Sequence, residues 1–294
     1  MTPNTNTTTS PQIITSPGEM QAFALACRRE GKTIGLVPTM GFLHPGHRSL
    51  MERSVRENDI TVVSIFVNPT QFGPEEDFEV YPRDLEHDCA VVQAAGAQVI
   101  FHPAPEDMYP AGYQSFVEVT DITQTLCGKS RPTHFRGVTT VVCKLFHITL
   151  AHRAYFGQKD AQQLAVIMRM TEDMNLPVTI VPCPIVREPD GLAMSSRNTY
   201  LTSDQRREAL ALSRSLNRAR QAYDRGERSA QVLKNQIVQG ISVSPLADID
   251  YVEAVSFPGL LPVDTLRDQT LIAVAVRFGN TRLIDNILLG GEVL

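Results

Sequence analysis

The sequence predicts an α/β fold, a doubly wound parallel sheet followed by a smaller α+β domain. Three observations carry that reading. Short apolar runs alternate with helical periods up to about residue 185, the segment "PDGLAMSSRN" breaks the rhythm, and a long polar helical pattern opens the remainder of the chain.

The opening "MTPNTNTTTSPQ" is polar, with neither a basic start nor an apolar stretch, so residues 1–12 are expected as a disordered tail. "SPGEMQAFALACRREG" then reads as a helix: Ser16 caps it, Pro17 takes the first helical position, Glu19 closes a capping box and Gly31 stops it. "TIGLVPT" is a strand buried on both faces, "HRSLMERSVREN" a helix and "ITVVSIFVN" a second buried strand, which together make one βαβ unit. The alternation continues through the helix "DLEHDCAVVQAAG", the strand "QVIFHP", the helix "VTTVVCKLFHITL", the strand "RAYFG", the helix "DAQQLAVIMRMTEDMN" and the strand "VTIVPCPIV". A single helix over "SDQRREALALSRSLNRARQAYDRG", a further helix and strands such as "TLIAVAVRFG" make up the rest. The expected domains are 13–185 and 186–294.

Composition narrows the function. The chain has 294 residues, 43% of them hydrophobic, enough for a large core and two domains. A net charge of −5 offers no basic excess for a nucleic-acid backbone. No apolar run approaches the roughly 20 residues that cross a bilayer, and a cytoplasmic protein is expected. The five cysteines, Cys27, Cys89, Cys127, Cys143 and Cys183, are scattered without C-x-x-C spacing, so they read as buried thiols and not as a disulfide framework or a zinc site.

In an open parallel sheet, ligands sit beyond the carboxyl ends of the strands, where strand order reverses. "PTMGFLHPGH", Pro38 to His47, lies at such an end. Gly41 and Gly46 permit close backbone approach, the following helix offers unpaired N–H groups, and His44 and His47 can face one phosphate. Taken alone, the stretch reads as an ordinary strand–helix turn with two surface histidines. "REPDGLAMSSRNTYL" brings Ser195, Ser196 and Arg197, suited to closing over a triphosphate, although either serine could merely cap a helix. In "FGQKDAQQL", Lys159 can bind phosphate, and Asp160 either holds a ribose hydroxyl or caps the helix. "FVNPTQFGPEEDFEVYPRD" sets Gln71 among rigid prolines and aromatics, as a small polar substrate would require or as a long surface loop would also show. Asp88 is a candidate for contact with a metal, set against the expectation of a solvated helix face.

Together, "PTMGFLHPGH", "FVNPTQFG", "YPRD", "RPTHFRGV", "YFGQKDAQQL" and "DGLAMSSRN", in this order and at this spacing, resemble the pantoate–β-alanine ligase family from about Ile13 onward. The resemblance implies a Rossmann-like domain of the nucleotidyltransferase superfamily, with His44-Pro45-Gly46-His47 as its H-x-G-H element. It also implies roles. Met40, Gly41, Phe42, Leu43, His44, Pro45, Gly46 and His47 would line the ATP phosphates, with His47 the catalytic acid. Gln71 and Gln163 would grip pantoate, Gln71 also bordering β-alanine. Gly157, Gln158, Lys159 and Asp160 would hold ribose and phosphate, Val186 the adenine, and Met194, Ser195, Ser196 and Arg197 the triphosphate. Pro45, Gln158, Ala161 and Thr133 depart from the family's usual residues; none removes a group the chemistry requires, and Ala161 and Thr133 bear on local packing.

The implied reaction has two halves. Pantoate's carboxylate attacks the α-phosphorus of ATP, giving a pantoyl adenylate, and β-alanine's amine then attacks the acyl carbon to give pantothenate and AMP. His44, His47 and Lys159 with the loop serines would neutralise charge, and Mg²⁺ would ride on the phosphates, because no Asp/Glu cluster marks a protein site. A homodimer is implied by the resemblance alone. Two rivals stand beside this reading. One is a cytidylyltransferase-type enzyme, against which the Gln71 and Gln163 stretches argue. The other is a nucleotide-binding regulatory module, against which the serine-rich loop argues.

Overall fold

The structure, a computed structural model, describes residues 10–74, 76 and 78–290. The chain divides into two compact units. One takes the chain up to Glu118 with Arg136–Phe156 and Thr171–Cys183; the other takes Val119–Phe135, Gly157–Met170 and the chain from Pro184 on. The expected linear boundary at Val186 is therefore an interleaved one, with two earlier segments grouped with the C-terminal unit.

In chain order the elements are β1 (Gln12–Ile14), α1 (Pro17–Arg29), β2 (Ile34–Thr39), α2 (Pro45–Glu57), β3 (Ile60–Ile65), α3 (Leu85–Ala95), β4 (Val99–Phe101), α4 (Pro105–Met108), α5 (Leu126–Ser130), α6 (His134–Thr149), β5 (Arg153–Gly157), α7 (Ala161–Asp173) and β6 (Thr179–Cys183). Then follow α8 (Ser203–Glu208), α9 (Leu210–Asp224), α10 (Ala230–Ile241), β7 (Ala247–Ser256), β8 (Thr270–Phe278) and β9 (Thr281–Leu289).

The first unit carries a six-stranded sheet in the order β1-β4-β3-β2-β5-β6. β1 on β4, β4 on β3, β3 on β2 and β2 on β5 are all parallel. From β2 the chain winds outward in one direction through β3 and β4 and in the other through β5 and β6, so the order reverses beside β2. This is the α/β Rossmann-like class expected from the alternating pattern. β2 and β3 are apolar and buried along nearly their whole length, as strands covered on both faces must be. Ser16 Oγ caps α1 by accepting from the Glu19 N–H, and Gly96 ends α3 in the left-handed conformation at φ 81°.

Two expectations need correction. Residues 1–9 of the expected tail lie outside the described residues, but Gln12 opens a strand: its N–H donates to Gln98 O, and Ile14 O accepts from His102 N–H, each at 2.9 Å. A three-residue strand has too short a pattern to announce itself; pairing with β4 orders it. The expected single helix over 203–226 is two, because Leu212 N–H closes on Ala209 O and breaks the α pattern at a fully buried alanine.

The second unit carries an antiparallel sheet, β7-β8-β9, with α9 and α10 packed together and against it. Its core includes Leu212, Leu216, Leu233, Ile237, Val274, Val276 and Phe278. The five cysteines are free thiols; Cys27, Cys143 and Cys183 are buried, whereas Cys89 and Cys127 are half-buried. Among the described residues no helix is long and apolar enough to cross a membrane.

Candidate active site

The loop that leaves β2 at the reversal of strand order is shaped by its backbone. Gly41 sits at φ 82° and Phe42 at φ 50°, so two successive residues occupy left-handed space, and the second does so at a steric cost. One side chain holds the strain in place. Asp88, expected on a solvated helix face, is 1% exposed, and its two carboxylate oxygens accept from the Phe42 N–H at 2.9 Å and the Leu43 N–H at 2.7 Å. A Cβ on Gly41 would lie 2.8 Å from Asp88 Oδ2, so position 41 is confined to glycine by conformation and by crowding. Burial pushes the Asp88 carboxyl above the usual aspartate range, and the two amides pull it part of the way back. The surface expectation failed because the buried face of α3 is chosen by the loop laid over it.

His44 and His47 stand where α2 begins. His44 is the N-cap: its Nδ1 accepts from the Gly46 N–H at 3.1 Å, while His47 Nδ1 accepts from the His44 N–H at 3.4 Å. The rings stack with centroids 4.0 Å apart. Accepting at Nδ1 assigns the ring proton of each neutral imidazole to Nε2, so each ring donates through Nε2–H. A pair of such donors at a helix N-terminus suits an anion.

Gln71 is buried in a 3₁₀ turn after β3, Pro69–Gln71, and its Nε2 donates to Met40 Sδ at 2.8 Å, which joins the Gln71 stretch to the β2 loop. Asn68, 1% exposed, donates from Nδ2 to Gln71 Oε1 and to Gly137 O; its Oδ1 accepts from Tyr109 OH. A Cβ at Gly137 would fall 2.3 Å from Thr70 O, so glycine lets α6 approach this turn. Asn68, Tyr109 and Gly137 were not singled out from the sequence. The signal for Gly137 was there, a lone glycine in a helical pattern within "RPTHFRGV".

In the second unit, Gln158–Asp160 form a 3₁₀ turn after Gly157, with Lys159 Nζ 3.8 Å from a carboxylate oxygen of the exposed Asp160. Asn286 Nδ2 donates to Gln158 O and Lys159 O, both at 2.9 Å. Val186 and Met194 are backbone partners: the Met194 N–H donates to Val186 O at 3.0 Å, and Arg187 bridges to Ala193 in the hairpin between them. Gly191 turns that hairpin at φ 99°. Ser195 caps the 3₁₀ helix Ser196–Tyr200, its Oγ accepting from the Arg197 N–H at 3.3 Å, so the capping alternative describes Ser195. Lys159 and Ser195 line one small cavity, which brings these two predicted residues together. Gln163 is half-buried on α7, next to Gln162, which is consumed by structure: it accepts from the Cys127 N–H and donates to Ile122 O and Thr125 O. Ala161 is 6% exposed and borders a cavity of about 230 Å³ with Gln158 and Phe257, whereas Thr133 is exposed in the turn before α6.

A profile of the family described as "Pantoate-beta-alanine ligase" matches residues 12–288. A "Pantothenate synthetase" of Geobacter sulfurreducens is 57% identical over 281 residues, which cover 96% of this chain and 99% of that protein. A crystal structure of pantothenate synthetase from Thermus thermophilus superposes with a TM-score of 0.89 at 44% identity, over 94% of this chain and 98% of that one. A pantoate-beta-alanine ligase from Francisella tularensis, complexed with beta-gamma ATP and beta-alanine, gives 0.77 at 34% identity, over 95% and 97%.

Proposed function

This chain belongs to the pantoate–β-alanine ligase family, and from that premise we propose how its own residues carry the reaction. The enzyme condenses pantoate with β-alanine to pantothenate through a pantoyl adenylate, releasing AMP and pyrophosphate. The observation that carries the assignment of roles is the loop at the reversal of strand order, whose Phe42 and Leu43 amides are held by Asp88 and whose two imidazoles stack at the start of α2. The imidazoles, and not the Phe42 and Leu43 amides, are then the groups that meet the phosphates.

In the first half-reaction pantoate's carboxylate oxygen attacks the α-phosphorus as pyrophosphate leaves. His47 Nε2–H donates to the oxygen on which negative charge grows, with His44 supporting it, and Lys159 supplies a cation to the α-phosphate. Met40, Gly41, Phe42, Leu43, Pro45 and Gly46 shape the phosphate side; Gly157, Gln158 and Asp160 hold ribose and phosphate; Val186 meets the adenine; Met194, Ser196 and Arg197 with the Ser195 hydroxyl meet the triphosphate. Gln71 and Gln163 orient pantoate, and Gln71 borders the β-alanine amine that attacks the acyl carbon in the second half-reaction. Holding both substrates in line supplies the proximity term, and exclusion of water protects the mixed anhydride.

Mg²⁺ would be carried on phosphate oxygens, where it neutralises charge. The Asp88 oxygens accept from backbone amides, which commits that carboxylate to the loop. A homodimer belongs to the same reading, supported by resemblance, and sedimentation of the purified chain tests it.

The test is stepwise. With ATP and pantoate alone, one enzyme equivalent should release about one pyrophosphate and then nearly stop, holding the adenylate. Adding β-alanine should discharge it to pantothenate and AMP together. Continuous pyrophosphate release without β-alanine, or no pantothenate on adding it, would defeat the assignment.

A further inference from the structure

From Leu283 to Leu289, β9 is apolar except where "LIDNILL" sets Asp285 and Asn286 side by side, 1% and 5% exposed. Buried polar groups are costly unless fully hydrogen-bonded, so such a pair is informative about what it holds. Asn286 uses both hydrogens of its amide on successive carbonyls of one turn, Gln158 O and Lys159 O. Asp285 grips Arg187 with both oxygens, at 2.7 Å to Nη1 and 2.9 Å to Nη2, and Arg187 Nη1 also donates to Gly191 O across the hairpin. The Asn286 N–H donates to Asp285 Oδ1 at 2.8 Å, which locks the two side-chain anchors to one backbone. A Cβ built on Gly157 would meet nothing within 4 Å, so the chain enters the Lys159 turn through open space.

We infer that Asp285 and Asn286 form a positioning pair for adenylation: Asn286 sets where Lys159 presents its ammonium group, and Asp285, through Arg187, sets the hairpin that bears Val186 and Met194. The inference rests on the proposal that Lys159 acts at the α-phosphate. Both act through other residues, Asn286 through Lys159 and Asp285 through Arg187. They act by registering two separate segments on one rigid strand, so that the cation and the hairpin cannot drift independently. A misplacement of about 1 Å in such a group costs up to about a hundredfold in rate.

A double-mutant cycle on the full-length enzyme tests this, with the half-reactions measured separately. Asn286→Ala should slow pantoate-dependent pyrophosphate release by roughly tenfold or more, because Lys159 is no longer held in place. The discharge of chemically prepared pantoyl adenylate by β-alanine should stay within about threefold of wild type, since the Lys159 cation serves only the first half. In a Lys159→Ala background, adding Asn286→Ala should slow adenylation by no more than about twofold, because the group it positions is gone. Multiplicative losses, or equal losses in both half-reactions, would overturn the positioning role and leave the Lys159 proposal standing. Undiminished adenylation by Lys159→Ala would overturn that proposal and the inference with it. Asn286→Ser, which keeps one donor, carries the same cycle and the same outcomes if the alanine variant does not accumulate in folded form.

Discussion

The loop after β2 hangs on one buried carboxylate that meets backbone amides, Asp88 on Phe42 and Leu43. The Val186–Met194 hairpin is laced by guanidinium groups: Arg187 on Asp285, and Arg206 on Glu188 at 2.6 Å and Asp190 at 2.7 Å. Both segments are proposed to face ATP phosphates, yet they are fixed by different physics. Clamping the amides fixes φ and ψ directly, survives salt and holds a strained conformation. Asp285 is buried and holds Arg187 out of reach of salt, whereas the Arg206 pairs fix the Glu188–Asp190 side of the hairpin through side chains that water and ions reach, so the hold there is weaker and screened. The comparison predicts a rigid cradle in one unit and, in the other, a hairpin adjustable at its Glu188–Asp190 side.

The sharpest test works at the chemical end of the cradle. His47→Ala should lower adenylate formation by roughly a hundredfold or more, the scale for losing one preorganised donor to developing charge. The fold should survive, since Pro45 and the His44 cap on the Gly46 N–H still start α2. Near-normal pyrophosphate release from the folded variant would remove His47 from the mechanism.

Asp88→Asn breaks the clamp instead. One amide keeps an acceptor and the other now faces an NH₂ group, donor against donor, an orphaned buried amide worth about 1–3 kcal/mol. With Gly41 and Phe42 both at positive φ, the loop should relax toward ordinary backbone space, and adenylation should fall by roughly tenfold, with a lowered urea midpoint. An Asp88→Asn enzyme with wild-type adenylation would show that the cradle holds itself.

How much of this was legible beforehand follows the same division. Strands such as "TIGLVPT" and helices with their own caps, as at Ser16 and Asp84, declare themselves because their causes lie within a few residues. The motif residues at 40–47, 157–160 and 194–197 could be picked out of the sequence as candidates. Their supports were not. Asp88 lies 46 positions from Phe42, and Asn286 lies 127 from Lys159, so no local pattern links them. The signals that existed were violations: an Asp–Asn pair inside an apolar strand run, and a glycine inside the helical pattern at 137. Grouping of 119–135 and 157–170 with the C-terminal unit left no compositional trace, because it is set by tertiary contact alone.

A smaller effect is expected on the hairpin side. Arg206→Ala removes the partner of Glu188 and Asp190, side chains 28% and 43% exposed, and half-exposed pairs of this kind contribute about 0–1 kcal/mol. Adenylation at low salt should drop a few-fold, and the gap to wild type should narrow as salt rises toward 1 M, where the Debye length is about 3 Å. A salt-independent deficit would mean that Arg206 holds the hairpin by packing, and the contrast between the two loops would lose its electrostatic side.

The smallest effect has opposite signs in the two units. Asp190 titrates below its ordinary range, first because of its hydrogen bond with Arg206, so its contribution is present above an aspartate's unfolded value of about 3.9 and is lost as pH falls through the folded value. Asp88 titrates above its ordinary range because of burial. Between about 3.9 and that raised value the native state holds more protons than the unfolded chain, so stability due to Asp88 falls as pH rises across the window. Measured as wild type minus variant in urea unfolding, the stability difference for Asp190→Asn should therefore shrink on acidification below about pH 4. The difference for Asp88→Asn should move in wild type's favour on acidification through the Asp88 window, as the cost of the buried charge is relieved. Two differences that shrink together would show that Asp88 behaves as a paired surface carboxylate does, and that the amide clamp and the ion-pair lacing are not distinct ways of holding a phosphate loop.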